Sequence, residues 1–194
     1  TPSADEAEAE APAEDACPPE GSAEVGACFP AFRVRDERST EVTRETLRGR
    51  RILLWWFPAA PSMGQRLLGA EPMVSEALAF KSLKHDYEDW GIQIVGASPD
   101  VRDVNRAFAD SFQLNFRLLC DPERTIPGAL GVEDARWAAL IGQDGRVEKF
   151  WREADAASLG AGVLKQLEVD AYQASLSELQ AMRDDGGEQE ELYI

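Results

Sequence analysis

The run Ile52-Leu53-Leu54-Trp55-Trp56-Phe57, opened by Arg50-Arg51 and closed by Pro58, constrains this chain more than any other segment. Six consecutive apolar residues, half of them aromatic, are too few for a helix and fit a strand buried on both faces. Pro58 has no amide hydrogen to extend a ladder, so the strand must end there and pass into a loop. In an α/β sheet the loop after a central strand is where a reactive group is displayed. The loop that follows carries Ser62 and Gln65.

Charge is distributed so that it excludes one class of function. The net charge is −16, but residues 1–25 hold eight acids and no base, and residues 168–194 hold eight acids and one base. The stretch 26–167 is therefore nearly neutral and offers no basic surplus to displace counterions from phosphate, which argues against a nucleic-acid partner. No apolar run approaches the roughly 20 residues that a membrane-spanning helix requires. The first residue is Thr1, with no basic and apolar leader behind it, so a processed or trimmed start is expected. Three cysteines, Cys17, Cys28 and Cys120, cannot all pair, and a single histidine, His85, without a cysteine cluster excludes a structural zinc site.

Taken in order, residues 1–25 are an Ala/Glu/Pro/Ser segment with one Val and no aromatic. Such a composition buries too little apolar surface to offset its ordering entropy, and an acidic arm, disordered or extended along a partner, is expected. Phe32 and Val34 alternate with Arg33 and Arg35 as a short strand, and 43–48 forms a helical turn closed by Gly49. After the central strand, a helix is expected from near Pro72 to Gly91, then a strand over 92–97 and a helix over 101–112. A strand over 116–119 and a short helix over 123–130 follow. Strands over 137–141 and 147–151 flank an Asp144-Gly145 hairpin turn, and Leu159, Val163 and Leu167 mark a closing helix. The order predicts an α/β fold, a mixed sheet flanked by helices, over residues 26–167. Tyr172, Leu176, Leu179 and Met182 then mark an amphipathic helix in the region 168–194, which either folds back on the domain or docks another subunit.

Five segments in order carry a resemblance. Gly26 to Val34, Leu47 to Leu53, Ile94 to Asp100 (IVGASPD), Phe116 to Asp121 (FRLLCD) and Arg136 to Gly145 resemble the successive motifs of the peroxiredoxin family, AhpC/TSA group, in its bacterioferritin-comigratory-protein or Q-type branch. The resemblance implies a thioredoxin-like fold over about residues 26–167. The active loop of that family has the pattern P-x-x-x-T-x-x-C, served by an arginine from a later strand. Without a gap it falls on Pro58, Ser62, Gln65 and Arg136. In the family a thiolate attacks the peroxide bond and becomes a sulfenic acid. Here the nucleophile position is Gln65, and an amide is neither nucleophilic nor redox-active. The Q-type resolving cysteine would fall on Ala70.

The expected function is therefore a catalytically inactive peroxiredoxin-like protein, a structural or interaction subunit of a larger assembly, with no cofactor and no metal. Its partners would be other protein subunits bound through the N-terminal arm and the C-terminal helix, with docking on a membrane complex open. The alternative is a thiol oxidoreductase using Cys28, Cys120 or Cys17 at a relocated site, and a third is a small-anion module on Arg136 and Ser62. Without a thiolate, Arg136 is expected to bond a carboxylate or carbonyl, and Ser62 to cap a helix start. Cys120 is expected to be a small buried hydrophobe and Cys17 an adventitious disulfide former, with a Cys28–Cys120 contact open. His85 is expected at or near the surface, and Trp55 and Trp56 on opposite faces of the core. The Q-type resemblance, taken with the expected processed start and the Ala/Glu/Pro-rich leader, implies an organelle, plastid ahead of mitochondrion, with a bacterial cytoplasm or an exported form open.

Overall fold

A computed structural model of the chain describes residues 17–58, 72–132, 136–152 and 158–187. Its seven strands are β1 Arg33–Asp36, β2 Glu41–Thr43, β3 Arg51–Trp56, β4 Ile92–Ser98, β5 Arg117–Cys120, β6 Trp137–Ile141 and β7 Val147–Trp151. They form one sheet in the order β2-β1-β5-β4-β3-β6-β7. Strands β3, β4 and β5 run parallel, whereas β6 is antiparallel to β3 and β1 to β5. The helices are α1 Arg44–Leu47, α2 Pro72–Ser82, α3 Lys84–Asp89, α4 Arg102–Phe112, α5 Thr125–Leu130 and α6 Leu159–Gly187.

The central strand sorts its side chains by the period of two. Leu53, Trp55 and Phe57 face one layer, where they meet Ala77 and Phe80 of α2, Phe108 of α4, and Val163 and Leu167 of α6. Ile52, Leu54 and Trp56 face the other, with Phe29, Leu47, Ile126 and Leu130. The rings of Trp55 and Phe80 stack with centroids 5.0 Å apart, and those of Trp56 and Trp137 lie parallel at 6.1 Å. Trp55 and Trp56 are both fully buried, so truncating either to alanine removes a core aromatic at a cost of about 3–5 kcal/mol.

Several boundaries depart from those expected. Strand β2 has a charged or polar residue at two of its three positions, too short an alternation to read, and is held by pairing Arg33–Arg35 with Glu41–Thr43. The expected helix from Pro72 to Gly91 is two helices, because Leu83 (φ −88°, ψ 2°) leaves helical geometry between α2 and α3. Tyr87 of α3 then donates its hydroxyl to the Gly160 carbonyl at the start of α6, 2.6 Å away. Burial pushes that phenol well above its ordinary range. The closing helix and the appended one are a single helix, α6, which runs 29 residues without a break.

The largest correction concerns the N-terminal arm. Within residues 17–25, Cys17 and Ala23 are buried against the domain, and the described chain is already anchored at Cys17. Cys17 and Cys28 form a disulfide, so Cys17 is not adventitious, and Cys120 is a free buried thiol with no contact to Cys28. The buried Arg44 guanidinium donates to the carbonyls of Cys17 (2.9 Å), Pro18 (2.6 Å) and Phe29 (2.8 Å), so it holds both ends of the strap. The backbone of the strap pairs with the β6–β7 turn through Gly26 N to Val147 O, Val147 N to Ala27 O and Phe29 N to Gly145 O. Composition missed this segment because a disulfide and a buried arginine stand in for the apolar surface it lacks. Residues 1–16 of the expected arm lie outside the described residues.

Two measurements check the strap. Thiol titration of the unreduced, denatured chain is expected to give one free thiol, rising to three after reduction. Replacing Cys17 and Cys28 together with serine should lower stability by about 2–4 kcal/mol, as loss of a structural disulfide does, and an unchanged melting temperature would contradict that role.

Candidate functional site

Three parallel strands ending together create the edge where chemistry would be placed. At the C-terminal edge, β3 is followed by the buried Phe57 and the exposed Pro58, β4 ends at the buried Ser98, and β5 ends at Cys120. Strand β6 enters antiparallel to β3, with Trp137 opposite Trp56. That register brings Arg136, the residue before β6, to the edge where Pro58 begins its loop. Two residues that lie far apart in sequence thus reach neighbouring strands at one edge, as the family resemblance implies. Ser62, Gln65 and Ala70, the other positions of that loop pattern, lie outside the described residues.

The partner of Arg136 is the informative feature. Its Nη1 donates to Oε2 of Glu76 at 2.6 Å, and the Glu76 side chain is fully buried whereas that of Arg136 is one-fifth exposed. A buried carboxylate is costly unless a cation sits against it, and Arg136 supplies that cation. Its guanidinium thus makes a charge-assisted bond to a resident carboxylate. Arg136 makes the carboxylate bond expected of it, but the identity of the carboxylate was not anticipated. The signal was present, because Glu76 lies three residues after Met73 and four before Phe80, on the apolar face of α2, where a lone charge needs a partner.

At the far end of the same edge, Cys120 belongs to a buried polar network. Asn105 of α4 donates through Nδ2 to the Leu119 carbonyl at 3.2 Å and lies 3.4 Å from the Cys120 sulfur, and the Ser98 hydroxyl donates to Asn105 Oδ1 at 3.0 Å. Asp121 accepts from the backbone of Thr125 and Ile126 and caps α5. Burial pushes the Cys120 thiol up; Asn105 draws it down, and the carboxylates of Glu37, Asp36 and Asp100 raise it further. A thiol held neutral in this way is a weak nucleophile. Strands β4 and β3 also lie between β5 and β6. At ~4.8 Å per strand, Cys120 stands about 14 Å from the Arg136 strand, so the two do not form one site.

The remaining candidates also lie apart. Cys17 and Cys28 are consumed in the disulfide against the β6–β7 turn. The His85 side chain is 86% exposed on α3 and lies 3.9 Å from Glu88. Among the described residues, no group of His, Cys, Asp and Glu is arranged to hold a metal ion.

Comparison with known proteins places this arrangement. A Mycobacterium tuberculosis protein named as a putative peroxiredoxin is 32% identical over 102 residues, 53% of this chain and 60% of that protein. The chloroplastic peroxiredoxin Q of Sedum lineare is 24% identical over 119 residues, 61% of this chain and 60% of that protein. The alignments thus span about three-fifths of the length of these relatives. The crystal structure of peroxidoxin BcpB from Mycobacterium tuberculosis superposes with a TM-score of 0.66 at 20% identity, covering 75% of this chain and 97% of that one. A Cys-to-Ser variant of Xylella fastidiosa PrxQ does so with a TM-score of 0.66 at 20% identity, covering 76% and 97%. These likenesses establish the thioredoxin-like peroxiredoxin fold. The profile of the AhpC/TSA family matches residues 25–150, well over half of the sequence. With its sheet order, its Pro58 edge and its Arg136, this chain belongs to the AhpC/TSA family, on the peroxiredoxin Q and bacterioferritin-comigratory-protein branch.

Proposed function

We propose that this chain has kept the peroxiredoxin fold without the peroxidase chemistry, and acts as an interaction subunit of a larger assembly. One observation carries the proposal: all three cysteines of the chain are located, and none is beside Arg136. Peroxide reduction needs a thiolate against an electropositive group. The group here is neutralised by Glu76, and the one free thiol is neutral and buried three strand positions away. The same pairing removes support for a small-anion module on Arg136 and Ser62. The relatives carry peroxiredoxin names, so the competing reading is a thiol enzyme working through Cys120 or the Cys17–Cys28 pair.

The interaction role rests on the appendages. Residues 1–16 add an acidic segment ahead of the strap, and α6 continues far past its last buried residue, Leu167. Chloroplastic relatives from Sedum lineare and Triticum aestivum support a plastid, at 24% and 26% identity, while the bacterial relative from Mycobacterium tuberculosis matches at 32%. The disulfide adds that the compartment must be oxidising enough to keep it closed. Among the described residues, no helix is long and apolar enough to cross a membrane.

In a peroxidase assay with thioredoxin or glutaredoxin as reductant, consumption of hydrogen peroxide is expected to stay at the uncatalysed rate. Turnover that Cys120→Ser abolishes would establish the competing reading. Iodoacetamide should label Cys120 at least tenfold more slowly in the folded chain than in the denatured one at pH 8. Because the folded thiol's pKa is raised, its stabilising contribution is complete below the ordinary thiol pKa and fades as pH rises toward the raised one. Denaturant midpoints should therefore fall on the alkaline side for the native chain and less so for Cys120→Ser. Glu76→Ala leaves Arg136 without this partner and should cost about 3 kcal/mol, while the assay rate stays at background.

A further inference from the structure

Beyond Leu167 the apolar side chains of α6 change sides. Leu159, Val163 and Leu167 are buried against the sheet. At ~100° per residue, Val169, Tyr172, Leu176 and Leu179 project from roughly the opposite side of the helix. The continuation of the core-facing side is Asp170, Ala171, Ala174, Glu178 and Ala181, which offers no large apolar group. This segment therefore does not fold back onto its own domain. Among the described side chains, its last ion pair to the sheet is that of Asp170 with Lys149, 2.5 Å. The seam residues are 41% (Val169), 66% (Tyr172), 41% (Leu176) and 58% (Leu179) exposed.

We infer that this face is a self-association seam, on which a second copy of the chain pairs its own α6 in antiparallel register. The spacing of the four seam residues, three, four and three, is a heptad pattern with Val169 and Leu176 at one core position and Tyr172 and Leu179 at the other. Lys165 and Arg183 continue the same line at either end. Flanking positions normally carry the charges by which a coiled coil selects an unlike partner. Between Tyr172 and Arg183 these are Gln173, Ser175, Gln180 and Met182, all uncharged, so nothing on the flanks opposes a like partner.

Charge along the seam then selects orientation and register. Parallel pairing would set Lys165 against Lys165, Arg183 against Arg183, and the two acidic C-terminal regions side by side. Antiparallel pairing with Val169 over the partner's Leu179 would set Lys165 against the partner's Arg183. Sliding by one heptad removes every like-charge contact. Leu176 then packs on the partner's Leu179, twice by symmetry, and each Arg183 lies over the partner's Tyr172 as a cation–π pair. The helix dipoles also oppose. The seam from Tyr172 to Arg183 is ~18 Å long, so the dimer is weak and concentration-dependent.

This inference rests on the interaction role given to α6, and not on the absence of peroxidase chemistry. Sedimentation equilibrium of the full chain is expected to show reversible monomer–dimer exchange over the micromolar range. Leu176→Glu with Leu179→Glu should abolish it while leaving thermal unfolding of the domain unchanged. In a Cys120→Ser background, mixed Tyr172→Cys and Arg183→Cys chains should cross-link to each other on mild oxidation, and neither should cross-link to itself. A chain that stays monomeric, a dimer that survives the double glutamate variant, or self-linked Tyr172→Cys chains would each overturn the inference. A monomer without peroxidase turnover would sink the pairing alone; peroxidase turnover would sink the inactive reading and leave the pairing to sedimentation.

Discussion

Strand β3 is bonded on both edges and buried on both faces, and the centre of the sheet and the two layers of the core are arranged around it. Its parallel bonds to β4 and antiparallel bonds to β6 fix the register on each side. Its alternating side chains assign each helix to one layer or the other. The same register aligns the edge at which Pro58 leaves and Arg136 enters. A fold held this way retains its site geometry whether or not any chemistry happens there, because packing and not catalysis maintains the edge. Such a scaffold can lose a nucleophile without losing its shape.

The Arg136–Glu76 pair gives that separation a physical form. An arginine placed at a peroxidase edge lowers a thiol's pKa by its charge. Once that charge is balanced by a carboxylate inside the protein, the arginine becomes part of the core's own electrostatics. Cys120, the one free thiol, sits among Asp36, Glu37 and Asp100, so its surroundings act in the opposite sense.

The sheet and its helices were legible because their signals are local. Runs such as 52–57 and 137–141, the Asp144-Gly145 turn and the spacing in 101–112 each state their element within a dozen residues. The structure has Arg136 at the start of β6, beside β3, and buries Cys120 at the end of β5. What escaped was non-local. Glu76 needed a partner sixty residues away, and Arg44 needed three carbonyls from a segment whose composition reads as unstructured. The break at Leu83 and the continuity of α6 depend on tertiary contacts and on helix propensity, and hydrophobic spacing registers neither.

The strap at residues 17–29 has a consequence for the order of assembly. Its partners, Gly145 and Val147, are separated from it by most of the domain's sequence. During synthesis Arg44 can hold the ends of the strap early, but its backbone bonds to Gly145 and Val147 wait until the β6–β7 hairpin has left the ribosome. Closing a loop of that length gains contacts only late, as non-local pairings do. The segment that begins the described chain is thus among the last to be fixed, and the Cys17–Cys28 bond closes its local loop independently of that wait. The strap is consequently the part of this domain whose backbone pairing is completed latest, although it precedes every strand of the sheet in the sequence.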